Sequence, residues 1–356
     1  MRSYFWPSYV VWETTLRCNM RCQHCGSVAG DAREGELDPE EALDLSRQLV
    51  AMGTENIILS GGETLMRDDW ADIAGCLLEL GAQVGIITNG IALDSDQVLA
   101  TMQQLHQRSG GTFGLGISLD GVEQAHESIR GIKGSFKRTV RAMERARDAG
   151  LRVFVLTTVH RQNFDDLPKL RDLIFELEPF AWQFQTVNVY GRMKDRRDWL
   201  LTEEQYVGLA EFLAENRRLR PERPRTDPAD CVGYFTDMER QLRDSPWAGC
   251  QAGIRVLGIE SNGNIKGCLS LLDPVFVEGN VRETSLEEIW DGAGAFAYNR
   301  EFTPEKLEGL CAGCEHGQRC VAGCRGVAHS ITGSFHSAPY CLHGFRQRDK
   351  IGTDNG

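Results

Sequence analysis

Ten cysteines in two spaced sets constrain this chain more than any other feature. Cys18-x3-Cys22-x2-Cys25 lies near the start; Cys250-x12-Gly263-x4-Cys268 and Cys311-x2-Cys314-x5-Cys320-x3-Cys324-x16-Cys341 follow far downstream. The first set offers three thiolates, whereas a cubane cluster of four irons is normally held by four. One iron is then left open, as required of a cluster that binds a substrate or cosubstrate besides carrying electrons. The same reasoning separates catalytic from structural zinc sites. A three-cysteine zinc loop is the alternative reading of the first set taken alone.

Further motifs follow in order. Asn56–Ser60 reads as a short buried strand running into Gly61-Gly62-Glu63, where two glycines let the backbone approach a ligand closely and Glu63 adds a carboxylate. Gly116–Asp120 ends another apolar strand, and Arg130 follows within His126–Gly131. CxxxCxxC, GGE and the run Ser118-Leu119-Asp120-Gly121, Arg130-Gly131, Gly134-Ser135-Phe136 together resemble the radical S-adenosylmethionine (SAM) superfamily. The usual Pro after the Glu is Thr64 here, which changes turn stiffness and removes no ligand.

The resemblance implies a [4Fe–4S] cluster whose unique iron is chelated by SAM. Glu63 and its glycines would meet the SAM ammonium. Ser118, Asp120 and Arg130 would contact its carboxylate or ribose, a guanidinium matching carboxylate geometry. Asn89, in Thr88-Asn89-Gly90, becomes a ribose-site candidate, Val155–His160 would face adenine, and His24 would form a wall of the SAM site. Taken singly these residues also read as a turn, caps and solvated charges.

Alternating segments give the fold class. Strand-like Tyr9–Thr14, Asn56–Ser60, Gln83–Thr88, Thr112–Leu119, Arg152–Thr158 and Trp182–Val189 alternate with helix-like Pro39–Met52, Asp68–Leu80, Ser95–Gln107, Gly134–Ala149 and Phe164–Leu177. This is an α/β pattern of parallel strands with right-handed crossovers, predicting a partial (β/α)6 TIM-like barrel with its working residues at the strand C-termini. The barrel is expected over 1–216. A bridge that includes the Pro- and Arg-rich stretch Arg217–Asp230 is expected over 217–249, and a small cysteine-rich domain with a C-terminal tail over 250–356.

The seven downstream cysteines resemble the SPASM domain, which carries two auxiliary [4Fe–4S] clusters. By family topology Cys250, Cys268 and Cys324 would hold one, and Cys311, Cys314, Cys320 and Cys341 the other. Cys231 would be the fourth ligand of the first, a hydrogen-atom donor, or an inert buried thiol. Short loops such as Cys311-x2-Cys314 also read as a zinc knuckle. Cys76 reads as core. Such stapling would let the last ~100 residues fold around a modest core.

Composition narrows partners. A net charge of −12 disfavours nonspecific nucleic-acid and anionic-membrane binding, and no span resembles a membrane helix or signal peptide. Twelve cysteines in a reducing, cytoplasmic setting argue for metal over disulfides. The resemblance implies reductive cleavage of SAM and hydrogen abstraction by a 5′-deoxyadenosyl radical, fed by an electron donor such as flavodoxin or ferredoxin.

Maturation of a ribosomally made peptide is the first expectation for the substrate. Because about seventeen residues precede Cys18, either a separate protein recruits the leader or the substrate is not such a peptide. Leu269-Ser270 stands where a sulfatase-maturing branch carries Asp after its Cys, with Asp273 nearby as a weak catalytic candidate beside Cys231. Small-molecule chemistry such as haem-precursor decarboxylation is the alternative, with Arg192, Lys194, Arg196 and Arg197 offered to propionates or simply solvated. A metal-stabilised binding module is the non-enzymatic reading, against which the intact GGE, Ser118 and Arg130 set counts.

Overall fold

The computed structural model describes residues 5–232, 238–245 and 247–346; residues 1–4, 233–237, 246 and the tail 347–356 lie outside the described residues. Seven strands run parallel in sequence order: β1 (Tyr9–Thr15), β2 (Asn56–Gly61), β3 (Gln83–Thr88), β4 (Gly114–Ser118), β5 (Arg152–Val159), β6 (Ala181–Thr186) and β7 (Arg225–Pro228). Helices α1 (Pro39–Ala51), α2 (Trp70–Glu79), α3 (Asp96–Arg108), α4 (Glu123–Arg130), α5 (Ser135–Asp148), α6 (Leu167–Leu177) and α7 (Glu203–Leu219) fill the crossovers. This is the parallel strand–helix series of the expected partial barrel.

Local chemistry sets the helix starts. Asp38 and Glu41 form a capping box around Pro39 at the start of α1, and Thr202 with Gln205 does the same for α7. Trp12, Trp182 and Phe184 are fully buried on the strands they belong to.

Four strands outside the expected six extend the sheet. β7 emerges from the Pro- and Arg-rich stretch and pairs with β6, so that stretch is in part structural. On the other side β8 (Val256–Ile259) pairs in parallel with β1, matching Tyr9 to Val256 and Trp12 to Ile259. The antiparallel strands β9 (Asn264–Lys266) and β10 (Gly279–Asn280) follow, closing a ten-stranded sheet in the order β10-β9-β8-β1-β2-β3-β4-β5-β6-β7. One hydrophobic core therefore runs from Leu45, Leu59 and Ile117 through Leu257, Ile265 and Trp290 to Val327.

Buried charges reinforce the junction. Lys266, 1% exposed, lies 2.7 Å from Glu260. Glu13 on β1 accepts from Arg33 at 2.8 Å and from the Ser261 hydroxyl at 3.0 Å. Removing one partner of such a pair leaves an uncompensated charge, which costs about 3 kcal/mol. Lys266→Met should lower stability by that order in urea unfolding, and adding Glu260→Gln should recover part of the loss.

Candidate functional site

Because β1 to β6 are parallel, the loops after them share one rim. The loop after β1 carries Cys18, Cys22 and Cys25 and is held from several sides. Cys18 N–H donates to Gly30 O (2.9 Å) and Gly30 N–H to Leu16 O (3.0 Å). The Glu36 carboxylate receives the Leu16 amide at 2.7 Å and the Thr15 hydroxyl at 2.9 Å. Arg192, beyond β6, donates to Cys22 O (3.1 Å) and Ala29 O (2.6 Å), while its own amide donates to Cys25 O (3.0 Å). Arg197 donates to Ile331 O at 3.1 Å, and Arg196 lies over the Trp199 ring. The arginines of this basic cluster are thus engaged with the fold itself.

The three thiols are close enough to act on one another electrostatically. Cys18 Sγ accepts from Met20 N–H and Cys25 Sγ from Ala29 N–H, both at 3.4 Å, and Arg130 Nη1 lies 3.8 Å from Cys22 Sγ. Burial is the main force pushing the Cys18 thiol up to about 11, and it raises Cys22 as well. A metal-bound thiol is deprotonated outright, so ligation would replace protonation here.

Gly61 and Gly62 make a close approach, but to the protein's own backbone. A Cβ on Gly61 (φ 148°) would lie 2.2 Å from Thr15 O, and one on Gly62 would lie 2.4 Å from Leu16 O and 2.5 Å from Arg17 O. The glycines thus seat the cluster loop on β2, a physical reason different from the ligand approach their spacing suggests. The neighbouring Glu63 carboxylate, 1% exposed, accepts from Asn89 N–H (2.8 Å) and Leu65 N–H (3.3 Å). Burial pushes its pKa up against those bonds. Asn89 Nδ2 then reaches Asn19 Oδ1 at 2.7 Å, tying the β3 loop to the cysteine loop.

Arg130 and Asp120 form the strongest buried pair of the rim. Arg130 Nε and Nη2 each lie 2.7 Å from Asp120 Oδ2, and Asp120 Oδ1 accepts from Thr158 N–H at 2.9 Å. Burial opposes the Asp120 charge, but chiefly Arg130 overcomes it and holds the carboxyl down at about 2. The guanidinium expected to meet SAM is therefore engaged by Asp120 and faces Cys22. His24 Nε2 stands 3.6 Å from Asp120, and burial lowers its pKa to about 4, leaving a neutral wall. Ser118, at the end of β4, lines the adjoining cavity with Arg130 and His24.

That cavity, about 770 Å³, links both cysteine-rich parts of the chain. Cys25, Arg130 and Ser118 border it, as do Cys231, Cys250, Cys268 and Cys324, with aliphatic walls from Val11, Ile58, Ile87 and Leu156. Cys324 is pushed well up, first by burial and then by Cys250, Cys231 and Cys268, which places these four thiols together. Cys231 also accepts from Thr186 N–H at 3.2 Å. A second cavity of about 310 Å³ gathers Cys311, Cys314, Cys320 and Cys341. Asp273 instead caps the turn Pro274–Phe276 through Val275 N–H, at 3.0 Å. Cys76 lies on α2, partly buried and away from both sets.

A zinc ion holds sulfur at about 2.3 Å, which puts tetrahedral neighbours about 3.8 Å apart. Among the described residues no three of these thiols fall within 4.8 Å of one another, whereas Glu315, His316 and His343 do. Three thiols in the first set and four in each of the other two match in number the donor sets that iron–sulfur clusters take. Residues the sequence reading missed include Glu36, Asn19 and Asn163, whose Nδ2 donates to Asp120 O at 2.6 Å and Thr158 O at 2.9 Å. Glu36 and Asn163 clamp backbone groups and Asn19 holds the Asn89 side chain, all by tertiary contact that carries no spacing signal.

The model of the Radical SAM superfamily matches residues 12–174, and that of an iron–sulfur cluster-binding domain, SPASM, matches residues 250–315. The chain is 30% identical to an AdoMet-dependent heme synthase of Methanosarcina barkeri, over 95% of this chain and 97% of that protein. It is 28% identical to a PqqA peptide cyclase of Granulibacter bethesdensis, over 92% and 84%. SuiB of Streptococcus suis bound to S-adenosylmethionine has the same fold, with a TM-score of 0.74 at 17% identity over 96% of this chain and 77% of that one. Among the described residues no helix is long and apolar enough to cross a membrane.

The seating of the cysteine loop gives a direct test. Gly62→Ala should force Leu16 and Arg17 away and cost about four irons per chain, while Gly75→Ala, inside α2 where a Cβ would meet nothing nearer than 3.7 Å, should retain the full iron content by chemical assay.

Proposed function

The chain belongs to the radical SAM superfamily and carries a C-terminal SPASM domain, and from that premise we propose that it oxidises a carboxylate-bearing tetrapyrrole, removing a side-chain carboxylate. Its cofactors are a SAM-bound [4Fe–4S] cluster, SAM and auxiliary iron–sulfur clusters. When bound, the first cluster supplies the electron that splits SAM into methionine and a 5′-deoxyadenosyl radical able to take hydrogen from unactivated carbon.

Cys18, Cys22 and Cys25 hold that cluster, and Glu36 and Arg192 fix their loop. Gly61, Gly62, Glu63, Asn89 and Ser118 form the SAM side of the rim, with Asp120 and Arg130 bracing it from beneath Cys22. Cys231, Cys250, Cys268 and Cys324 hold the first auxiliary cluster; Cys311, Cys314, Cys320 and Cys341 hold the second. The aliphatic cavity walls keep water and stray hydrogen donors from the reacting carbon. Conversion of a propionate side chain to a vinyl group would require removal of one hydrogen atom, one electron and one CO2, the first two being what the bound cofactors would be able to accept. A flavodoxin or ferredoxin supplies the first electron.

The observation that carries the reading is the single cavity bordered at once by Cys25 with Arg130 and by the Cys231, Cys250, Cys268 and Cys324 set. A substrate there would meet the hydrogen acceptor and the electron acceptor together. End-to-end similarity to an AdoMet-dependent heme synthase supports the tetrapyrrole. Modification of a ribosomally made peptide is the second reading, favoured by the PqqA peptide cyclase relative.

Anaerobic incubation with SAM, dithionite and iron coproporphyrin should yield 5′-deoxyadenosine and a decarboxylated porphyrin, both absent from a Cys18/Cys22/Cys25→Ala variant. Iron should fall from about twelve to about eight per chain in that variant. Deoxyadenosine formation stimulated by a precursor peptide and not by the porphyrin would transfer the assignment to the second reading.

A further inference from the structure

Between Cys320 and Cys324 the chain passes from one auxiliary set to the other, since Cys320 lines the smaller cavity and Cys324 the larger. Val321, Ala322 and Gly323 all have positive φ, at 46°, 63° and 70°. A β-branched residue in that region is costly, and such backbone persists only where its surroundings impose it.

Arg325, the residue after Cys324, imposes it. The side chain is 0% exposed and lines the larger cavity. Nη1 donates to Val321 O at 2.8 Å and Phe335 O at 2.7 Å, and Nε donates to Asn299 Oδ1 at 3.1 Å. The Phe302 ring centroid lies 3.8 Å from the guanidinium carbon. Asn299 in turn donates to Cys250 O and Ala252 O, both at 2.8 Å. Nη2 has no partner. Among the described residues the groups that act most strongly on its charge are Cys250, Cys324, Cys320 and Tyr298, none of them a carboxylate.

A buried cation without a counter-charge is strongly unfavourable, and cluster potentials respond to nearby charge and burial. We propose that Arg325 is the fixed counter-charge of the first auxiliary cluster and raises its reduction potential, so that the cluster accepts the one electron left on the substrate. This rests on the reading that Cys250, Cys268 and Cys324 hold a cluster. Arg325 is a tuning residue, since it touches neither substrate nor the reacting atoms.

The test uses the full chain with Cys18, Cys22 and Cys25 replaced by Ala, reconstituted so that only auxiliary clusters remain, and reads iron per chain and the EPR-followed midpoint potentials. Arg325→Gln should lower the reduced-to-oxidised ratio of an auxiliary cluster about tenfold at the parent midpoint, a shift of about 59 mV for one electron. Arg325→Lys, which keeps the charge, should move it far less. Unchanged midpoints in Arg325→Gln with iron retained, or equal shifts in both variants, would overturn the proposal. Absence of auxiliary iron from the parent would instead overturn the ligand reading beneath it. If Arg325→Gln does not hold iron, Arg325→Met, which keeps the length of the side chain without its charge, takes its place. A fall in midpoint then supports the counter-charge, and no change refutes it.

Discussion

A buried thiol must lose its proton to bind iron, in a place where burial opposes the resulting charge. Burial dominates the pKa of Cys18 and Cys250, pushed up to about 11, and of Cys320, pushed up to about 12. Ligation reverses that preference, so folding and cofactor assembly become one equilibrium. The helices around the auxiliary sets are short, among them Leu286–Asp291, Ala297–Arg300, Gly317–Cys320 and Arg325–Thr332, and none would persist alone. Cysteine ligation would let so little regular structure stay ordered.

The rim works by mutual bracing. Glu63, which belongs to the β2 loop, is spent on the β3 loop; Asn89 of β3 is spent on the β1 loop; Arg130 beyond β4 grips Asp120 and faces Cys22. Arg192 beyond β6 closes the circle on Cys22 and Ala29. The cysteine loop is therefore positioned by the whole strand series, which a parallel sheet with all its C-termini on one side makes geometrically simple.

Much of this is legible in the sequence because it rests on spacing and period. The six strands, the crossover helices and both cysteine sets are local patterns. The strand β7 is hidden by Pro228 and three arginines, Arg220, Arg223 and Arg225, which read as linker. Gly61 and Gly62 are recognisable as a close approach, yet nothing local says that the approaching atoms are Thr15 O and Leu16 O. Arg192 looks like a solvated charge until the loop after β6 is brought against Cys25. The substrate is the least legible feature. Its cavity is walled by single residues from many elements, so no motif encodes it, and only similarity along the whole chain moves the reading from a peptide toward a tetrapyrrole.

The pairing of β8 with β1 reaches beyond the active centre. β1 is flanked by β2 on one side and by a strand of the cysteine-rich part on the other. Cut between them, the barrel would present Tyr9–Trp12, half of it fully buried apolar sequence, as a row of unpaired amides. An exposed apolar edge of that kind recruits strands from other molecules. The two halves are thus separable as patterns of sequence but not as soluble bodies: the auxiliary part is also the cover that keeps the catalytic sheet from polymerising.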